Sequence, residues 1–238
     1  MVGIGPGNPE HLSVRAVEVL RNSDCIIGYK TYINLLKELI KGKEVITSGM
    51  RAEIERASLA IEKAASGKVV SVISSGDPGV YGMAGLILEV ARNGKQKIPI
   101  EVVPGIPSEN AAAALLGAPL MHDHVIVSLS DLLTPWDVIE KRIRLTAEGD
   151  FVIVLYNPKS SERKWQIEET VKILLSVKKS DTPVGIVKNA MREGQSLIIT
   201  SLGEVLEHPI DMSTILIVGN STTFVYDGYM VTRRGYKV

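Results

Sequence analysis

The sequence predicts an α/β protein made of two α/β domains with a ligand cleft between them. Short apolar runs alternate with longer amphipathic runs along all 238 residues, which is the pattern of βαβ units. Loops rich in Gly and Pro follow several apolar runs, and open α/β sheets bind their ligands at that end of the strands. A segment containing Gly, Pro and polar residues, 117–124, divides the chain almost evenly. We therefore expect an N-terminal domain over residues 1–117 and a C-terminal domain over residues 118–238.

The predicted strands are short apolar runs, most of them rich in Val and Ile. Such runs, bounded by turn residues, are typical of strands that are buried on both faces. In chain order they cover residues 1–4, 24–28, 69–73, 100–103, 125–128, 151–155, 183–187, 196–200 and 214–218. The last third of the chain therefore carries more strand and less helix than the first.

The predicted helices are longer runs in which apolar residues recur at helical spacing. In residues 51–65, Ile54, Ala57 and Ile61 lie near one face and charged residues near the other. In residues 107–116 the helix is made of small residues, and Ser108 is a candidate N-cap. The full set covers residues 10–21, 32–39, 51–65, 83–92, 107–116, 135–148 and 162–178.

Composition excludes several classes of protein. Lys plus Arg equals Asp plus Glu at 27 each, so bulk charge gives no case for binding nucleic acid or a membrane surface. The start of the chain lacks the basic and apolar regions of a signal peptide, and no apolar run approaches the roughly 20 residues of a membrane span. The single cysteine, Cys25, lies in an apolar run and is interpreted as a buried, inert thiol. We expect a cytoplasmic protein.

The loop at residues 74–82 is the strongest candidate for a ligand site. It follows the predicted strand 69–73 and places three glycines and one proline around a single carboxylate, Asp77. A simple turn needs one or two glycines, so the sequence indicates a backbone shaped to approach a ligand closely.

Four further loops have the same character. Two of them, at residues 3–7 and 103–109, also follow predicted strands of the first half, and parallel strands would bring all three loops to one edge of the sheet. The other two, at residues 156–160 and 187–192, lie in the second half. We expect the two halves to close over one ligand.

Other known sites fit the sequence less well. A Rossmann dinucleotide site needs a third glycine where Asn8 stands, and an acidic residue after the second strand, which ends at Tyr29 and Lys30. No phosphate-binding P-loop motif occurs. His122 and His124 have no further His or Cys nearby, so we expect hydrogen-bonding histidines and no metal site.

The loops together resemble the tetrapyrrole (corrin/porphyrin) methylase family. The resemblance is carried by the segments Gly3-Ile4-Gly5-Pro6-Gly7, Ser75-Gly76-Asp77-Pro78, Val103-Pro104-Gly105-Ile106 and Tyr156-Asn157-Pro158. It covers nearly the whole chain. A further run, Ser128-Leu129-Ser130-Asp131-Leu132-Leu133-Thr134-Pro135-Trp136, is similar to one branch of the family in particular.

The resemblance implies an enzyme of cobalamin biosynthesis, related to porphyrin biosynthesis. It implies a homodimer of two-domain subunits with S-adenosyl-L-methionine in the cleft between the domains. The branch implies methylation of C17 of a precorrin-3-level tetrapyrrole, with or without cobalt, coupled to contraction of the ring. A sister methyltransferase acting at C11 or C20 stays open as an alternative, as does a nucleotide-binding module without methyltransferase activity.

The resemblance also implies site residues. The methionine and ribose side of the cofactor matches Pro6, Ser75, Gly76, Asp77 and Val80, and Pro107 and Ser108 match further cofactor positions. Tyr156 and Ala190 match positions near the adenine.

Two sets of residues are hypotheses for the remaining chemistry. Ring contraction requires proton movements, for which the candidates are His122, Asp123 and His124. The substrate carries many carboxylates, for which the candidate partners are Arg51, Arg56, Arg163 and Arg233. Arg233 stands where the family usually has proline, which puts the local turn in question.

Overall fold

The computed structural model of the protein describes residues 1–49, 52–94 and 97–237. The chain forms two compact units, Met1–Ser108 and Glu109–Val238. The predicted domain boundary, between residues 117 and 118, lies at the other end of a helix, α5 (Ser108–Leu116). Within the described residues, none of the helices is long and apolar enough to cross a lipid bilayer.

The first unit contains a four-stranded, fully parallel sheet. Its strands are β1 (Val2–Gly3), β2 (Cys25–Tyr29), β3 (Glu44–Ser48) and β4 (Val70–Ser74), in the spatial order β1-β4-β2-β3. Its helices are α1 (Val14–Asn22), α2 (Lys30–Asn34), α3 (Glu53–Ala65) and α4 (Ala84–Arg92), with a 3₁₀ turn at Pro9–His11.

Both faces of the central strands of this sheet, β4 and β2, are largely buried. On one face, Ile26 of β2 belongs to the same apolar cluster as Leu20 of α1. On the other face, Ile27 belongs to a cluster that includes Ala57 of α3 and Ile87 of α4. Because successive residues of a strand point to opposite faces, these two clusters explain why the strand is apolar at every position.

The second unit is built on a mixed sheet. Its strands are β6 (His124–Ser128), β7 (Val152–Tyr156), β8 (Pro183–Lys188), β9 (Ser196–Ser201) and β10 (Thr214–Val218), in the order β6-β7-β10-β8-β9. Only β6 and β7 are parallel neighbours, since β10 runs antiparallel to both β7 and β8, and β9 runs antiparallel to β8. A small second sheet joins β5 (Gly117–Ala118) to the hairpin of β11 (Thr223–Tyr226) and β12 (Tyr229–Thr232).

Helices cover the larger sheet on both faces. On one face, Leu155 shares a cluster with Ile143 of α6 (Trp136–Glu148) and Leu174 of α7 (Trp165–Leu175). On the other face, Val154 shares a cluster with Ala112 of α5. The α/β prediction is therefore confirmed, and the parallel βαβ arrangement holds in this unit for β6, α6 and β7.

Several predicted elements differ from the structure. Residues 100–103 form no strand, and only Val103 makes an isolated parallel bridge, to Val2. The predicted helix 32–39 begins and ends earlier, at Lys30–Asn34, and continues as turns. The chain 10–21 contains a 3₁₀ turn and then α1, which Ser13 caps by accepting a hydrogen bond from the Ala16 amide. Cys25 is buried as predicted, and burial raises the pKa of its thiol.

Candidate functional site

Three glycine-rich loops meet at the carboxyl edge of the parallel sheet in the first unit. Gly5 and Gly76 form a bridge in which the amide of Gly5 donates to the Gly76 carbonyl at 3.2 Å and the reverse bond is 2.8 Å. Both residues have φ of +65°, a region that favours glycine. The Gly3 amide donates to the Val103 carbonyl at 2.9 Å, which ties in the third loop.

The glycines are required because the loops touch one another. A Cβ on Gly3 would lie 2.6 Å from the Gly105 amide nitrogen and 2.8 Å from the Gly76 carbonyl oxygen. A Cβ on Gly105 would overlap that same carbonyl oxygen. Gly82 is similarly close to the backbone of Asp77 and Pro78. Gly3, Gly82 and Gly105 therefore have a structural cause, contact between backbones. The close approach to a ligand expected from the sequence stays a prediction.

Asp77 joins two of these loops through its carboxylate. One oxygen accepts the amide of Gly79 at 2.7 Å, and the other accepts the amide of Gly105 at 3.0 Å. Its backbone carbonyl accepts the amide of Val80 at 3.3 Å. Asp77 thus fixes the edge on which the other predicted cofactor residues lie. Of these, Pro6 and Gly76 are buried, whereas Ser75, Val80, Pro107 and Ser108 are half-buried.

In the second unit, the carboxyl ends of β6 and β7 form a second polar edge. Ser128 and Tyr156 are paired at the last residues of these two strands. The next residue, Asn157, has φ of +50° and donates from Nδ2 to the Ser128 Oγ at 3.0 Å. The same hydroxyl accepts the amide of Ser130 at 3.2 Å.

Tyr156 is held by a residue that the sequence analysis did not single out, Glu109. The Tyr156 hydroxyl donates to the Glu109 carboxylate and accepts the Glu109 amide at 3.2 Å. Glu109 is only 6% exposed. An acidic residue in the first turn of a helix is usually solvated, so the sequence carried no signal that this one is buried.

Ala190 lies in a sharply shaped loop after β8. Its neighbours Asn189 and Met191 have φ of +48° and +56°. The Asn189 amide donates to the Ser213 carbonyl at 3.1 Å, and the Met191 amide to Gln195 Oε1 at 2.8 Å. The half-buried Ala190 packs against the apolar cluster on the α5 side of the sheet.

Two of the arginines predicted to bind substrate carboxylates are occupied within their own units. Arg56 is 6% exposed, and its guanidinium donates to Ser48 Oγ at 2.7 Å and to the Gly49 carbonyl at 3.0 Å. Arg163 donates from Nη1 to the carbonyls of Leu129 and Asn157, both at 3.0 Å. Both side chains act as braces of loops.

The other two arginines are placed differently. Arg233 is exposed, with its guanidinium carbon 5.1 Å from the centre of the Phe224 ring. Arg51 lies outside the described residues.

His122, Asp123 and His124 lie together at the amino edge of the larger sheet. His124 begins β6, whereas Ser128 and Tyr156 end β6 and β7, about 13 Å away along a strand of this length. All three side chains are exposed, and Nδ1 of His122 accepts the amide of Asp123 at 2.8 Å. An exposed cluster at the amino edge is poorly placed for acid–base chemistry on a ligand held at the carboxyl edge. Across the described residues, no group of three or more His, Cys, Asp or Glu is arranged to hold a metal ion.

Comparison with known proteins shows the family to which this chain belongs. The profile of the tetrapyrrole (corrin/porphyrin) methylases matches residues 1–206, and the chain belongs to that family. The predicted family, fold and enzyme class, a methyltransferase, are thereby confirmed.

Curated relatives narrow the comparison to one branch. The chain is 48% identical to the "probable cobalt-factor III C(17)-methyltransferase" of Salmonella typhimurium, over 99% of this chain and 98% of the relative. It is 51% identical to the "cobalt-factor III methyltransferase" of Priestia megaterium, over 100% of this chain but only 45% of that longer relative. It is 36% identical to the "precorrin-3B C(17)-methyltransferase" of a Sinorhizobium species, over 95% of this chain and 90% of the relative.

Solved structures agree with the fold. The methyltransferase CobJ matches with a TM-score of 0.93 at 32% identity, over 98% of both chains. A uroporphyrin-III C-methyltransferase from Thermus thermophilus, complexed with S-adenosyl homocysteine, matches with a TM-score of 0.67 at 25% identity, over 92% of this chain and 95% of that one.

Proposed function

We propose that the protein transfers a methyl group from S-adenosyl-L-methionine to C17 of a precorrin-3-level tetrapyrrole and contracts its ring, in cobalamin biosynthesis. The observation that carries this proposal is the 48% identity to the "probable cobalt-factor III C(17)-methyltransferase" of Salmonella typhimurium over nearly the whole length of both chains.

The comparisons favour cobalt-factor III over precorrin-3B as the substrate. Identity is 43–51% to four relatives named for cobalt-factor III and 36% to a relative named for precorrin-3B. On this proposal cobalt enters the protein as part of the substrate. The sister reactions at C11 and C20 would give products that carbon NMR distinguishes from the C17 product.

In the first unit, the edge formed by the three glycine loops is the proposed cofactor site. Its residues are Pro6, Ser75, Gly76, Asp77, Val80, Pro107 and Ser108. The support is the fixed geometry of these loops, together with the bound S-adenosyl homocysteine named for the Thermus thermophilus relative. The cofactor supplies the reactive methyl group, and the protein's part is to hold it in line with an electron-rich carbon in a dry site.

In the second unit, Tyr156 and Ala190 are the proposed adenine contacts. Both lie in or beside shaped loops at the carboxyl ends of β7 and β8. A half-buried aromatic ring and a small apolar side chain suit the flat, largely apolar surface of an adenine.

Substitution of Asp77 tests the proposed cofactor site. In Asp77→Asn one of the two carboxylate acceptors becomes a donor, so one of the bonds to Gly79 or Gly105 is lost and the edge loosens. Titration of S-adenosyl homocysteine should show weaker binding than to the wild type. Unchanged affinity together with unchanged turnover would contradict any role for Asp77.

Among the arginines proposed for the substrate carboxylates, Arg233 is the exposed one within the described residues. Arg233→Ala should raise the KM for the tetrapyrrole and leave the Kd for S-adenosyl homocysteine unchanged. Arg142→Ala, at another exposed arginine, is the matched control. Equal substrate KM values in the two variants would remove Arg233 from the proposal.

A cytoplasmic homodimer completes the proposal. Light scattering coupled to size-exclusion chromatography tests the dimer. Titration with S-adenosyl homocysteine against NAD distinguishes a methyltransferase from a nucleotide-binding module of another kind.

A further inference from the structure

The buried carboxylate of Glu109 is the feature of the second unit that the proposed reaction leaves unexplained. Glu109 stands in the first turn of α5 and is 6% exposed. Burying a carboxylate is costly unless hydrogen bonds or an opposite charge compensate it. The N-terminal end of a helix favours a negative charge, which offsets part of this cost.

The other compensation comes from Tyr156. Its hydroxyl donates to the Glu109 carboxylate and accepts the Glu109 amide at 3.2 Å, so the two residues are joined by two hydrogen bonds. A phenol has a single O–H to donate, and here the carboxylate takes it. Tyr156 therefore cannot recognise a ligand by donating from its hydroxyl. What it offers a ligand is its ring.

The orientation of that ring depends on Glu109. Tyr156 is the last residue of β7, and the next residue, Asn157, has the left-handed φ of +50°. The ring packs in part against the apolar cluster on the α5 side of the sheet, and its far end is anchored at Glu109. With both ends held, the ring loses the freedom that a half-exposed tyrosine at a strand end would otherwise have.

We propose that Glu109 is a positioning residue for the cofactor. By anchoring the Tyr156 hydroxyl, it holds the Tyr156 ring in the orientation that receives the adenine of S-adenosyl-L-methionine. This inference rests on the proposed function, in which Tyr156 contacts the adenine. An anchored ring does not have to be ordered when the ligand binds, and avoiding that cost strengthens binding.

Four variants distinguish the contribution of the Glu109–Tyr156 hydrogen bond from that of the Tyr156 ring. Glu109→Leu removes the acceptor, Glu109→Gln keeps an oxygen that can accept, Tyr156→Phe keeps the ring without its hydroxyl, and the fourth combines Glu109→Leu with Tyr156→Phe. The measurement is the Kd of S-adenosyl homocysteine by isothermal titration calorimetry. Chemical unfolding of each variant reports stability separately.

If Glu109 acts through Tyr156, the losses of affinity for S-adenosyl homocysteine in the two single variants should not add in the double variant. Glu109→Leu and Tyr156→Phe should each weaken binding by roughly tenfold, Glu109→Gln by no more than about threefold, and the double variant no more than the worse single variant. Ile143→Val is the control for a general loss of stability. Ile143 is fully buried in α6 on the opposite face of the sheet, so this variant should unfold more easily and bind S-adenosyl homocysteine normally.

Two results would overturn the inference. If the wild type binds S-adenosyl homocysteine and both Glu109→Leu and Tyr156→Phe bind it equally well, the anchor plays no part in cofactor binding, although the proposed function stands. Fully additive losses in the double variant would likewise overturn the inference and leave the proposed function standing. A wild type that binds no S-adenosyl homocysteine would overturn the proposed cofactor and this inference together.

Discussion

At Gly105, the absence of one Cβ allows the three loops of the first unit to meet. The amide of Gly105 binds the Asp77 carboxylate at 3.0 Å, and its Cα faces the Gly76 carbonyl at a distance that admits no side chain. The loop after β4 and the loop after Val103 can approach each other only with glycine at this position.

Gly105→Ala should therefore destabilise the first unit by about 3 kcal/mol, since the added methyl group forces two backbones apart. The measurement is urea unfolding. Gly85→Ala is the matched control, because Gly85 lies in α4 and a Cβ there meets nothing within 4 Å. It should leave stability unchanged or raise it by up to about 1 kcal/mol. Equal stabilities of the two variants would contradict the contact argument.

The exposed cluster of His122, Asp123 and His124 gives a second prediction at the scale of single residues. Each residue is replaced by alanine, and methylation and ring contraction are assayed separately. Because the cluster lies at the amino edge of β6, both reactions should proceed in all three variants at rates within about twofold of the wild type. Loss of contraction with methylation intact, in any one of them, would contradict this prediction and support the acid–base hypothesis.

The sequence predicted where the loops of the site lie, but it did not explain why they contain so much glycine. Glycine and proline after apolar runs placed the loops at residues 3–7, 74–82 and 103–109, and these loops do meet. The reason for the glycines was not accessible, because Gly3, Gly76 and Gly105 lie far apart in sequence and only the fold brings their backbones together. The burial of Glu109 was hidden for the same reason, because its partner Tyr156 lies 47 positions away in sequence.

At the scale of elements, β3 shows what an apolar pattern misses. It is the edge strand of the parallel sheet, and its residues are exposed or half-buried. Its sequence is therefore not the apolar run by which buried strands such as β2 and β4 were predicted. The hairpin of β11 and β12 was missed although it carries a signal, the turn Asp227-Gly228 with both φ values positive.

Ion pairs connect the start of β3 to Lys63 of α3 and to Lys68. Glu44, its first residue, accepts hydrogen bonds from Lys63 of α3 at 2.7 Å and from Lys68 at 2.6 Å. These two lysines lower the pKa of the Glu44 carboxyl to about 2 from its ordinary value of 4.5. A carboxyl whose pKa is lower in the folded state adds stability above its ordinary pKa and loses that contribution as pH falls through the folded value.

Replacing Glu44 by Gln should therefore change the acid stability. The wild type should be more stable than Glu44→Gln at pH 6, and the difference should shrink between pH 4.5 and about 2 as Glu44 is protonated in the wild type. Urea unfolding followed by circular dichroism at several pH values measures this. A difference that stays constant across that range would mean that Lys63 and Lys68 do not act on the Glu44 charge.

At the scale of the whole molecule, alternating apolar and amphipathic runs predicted an α/β chain, and family resemblance supplied the class of reaction. The mixed second sheet was not predicted, because antiparallel and parallel neighbours can have the same apolar strands. β10 is buried at all five positions and yet runs antiparallel to both of its neighbours.

The curated relatives differ in length. The chain spans 98% of the Salmonella typhimurium relative but only 45% of the Priestia megaterium relative.

The most direct test of the proposed function supplies the protein with S-adenosyl-L-methionine labelled in its methyl group and, in parallel, with cobalt-factor III or precorrin-3B. Mass spectrometry and carbon NMR of the product locate the label and report the ring size. The proposed function predicts one labelled methyl group at C17 of a contracted ring, formed faster from cobalt-factor III. A label at C11 or C20, or no transfer to either tetrapyrrole, would contradict it.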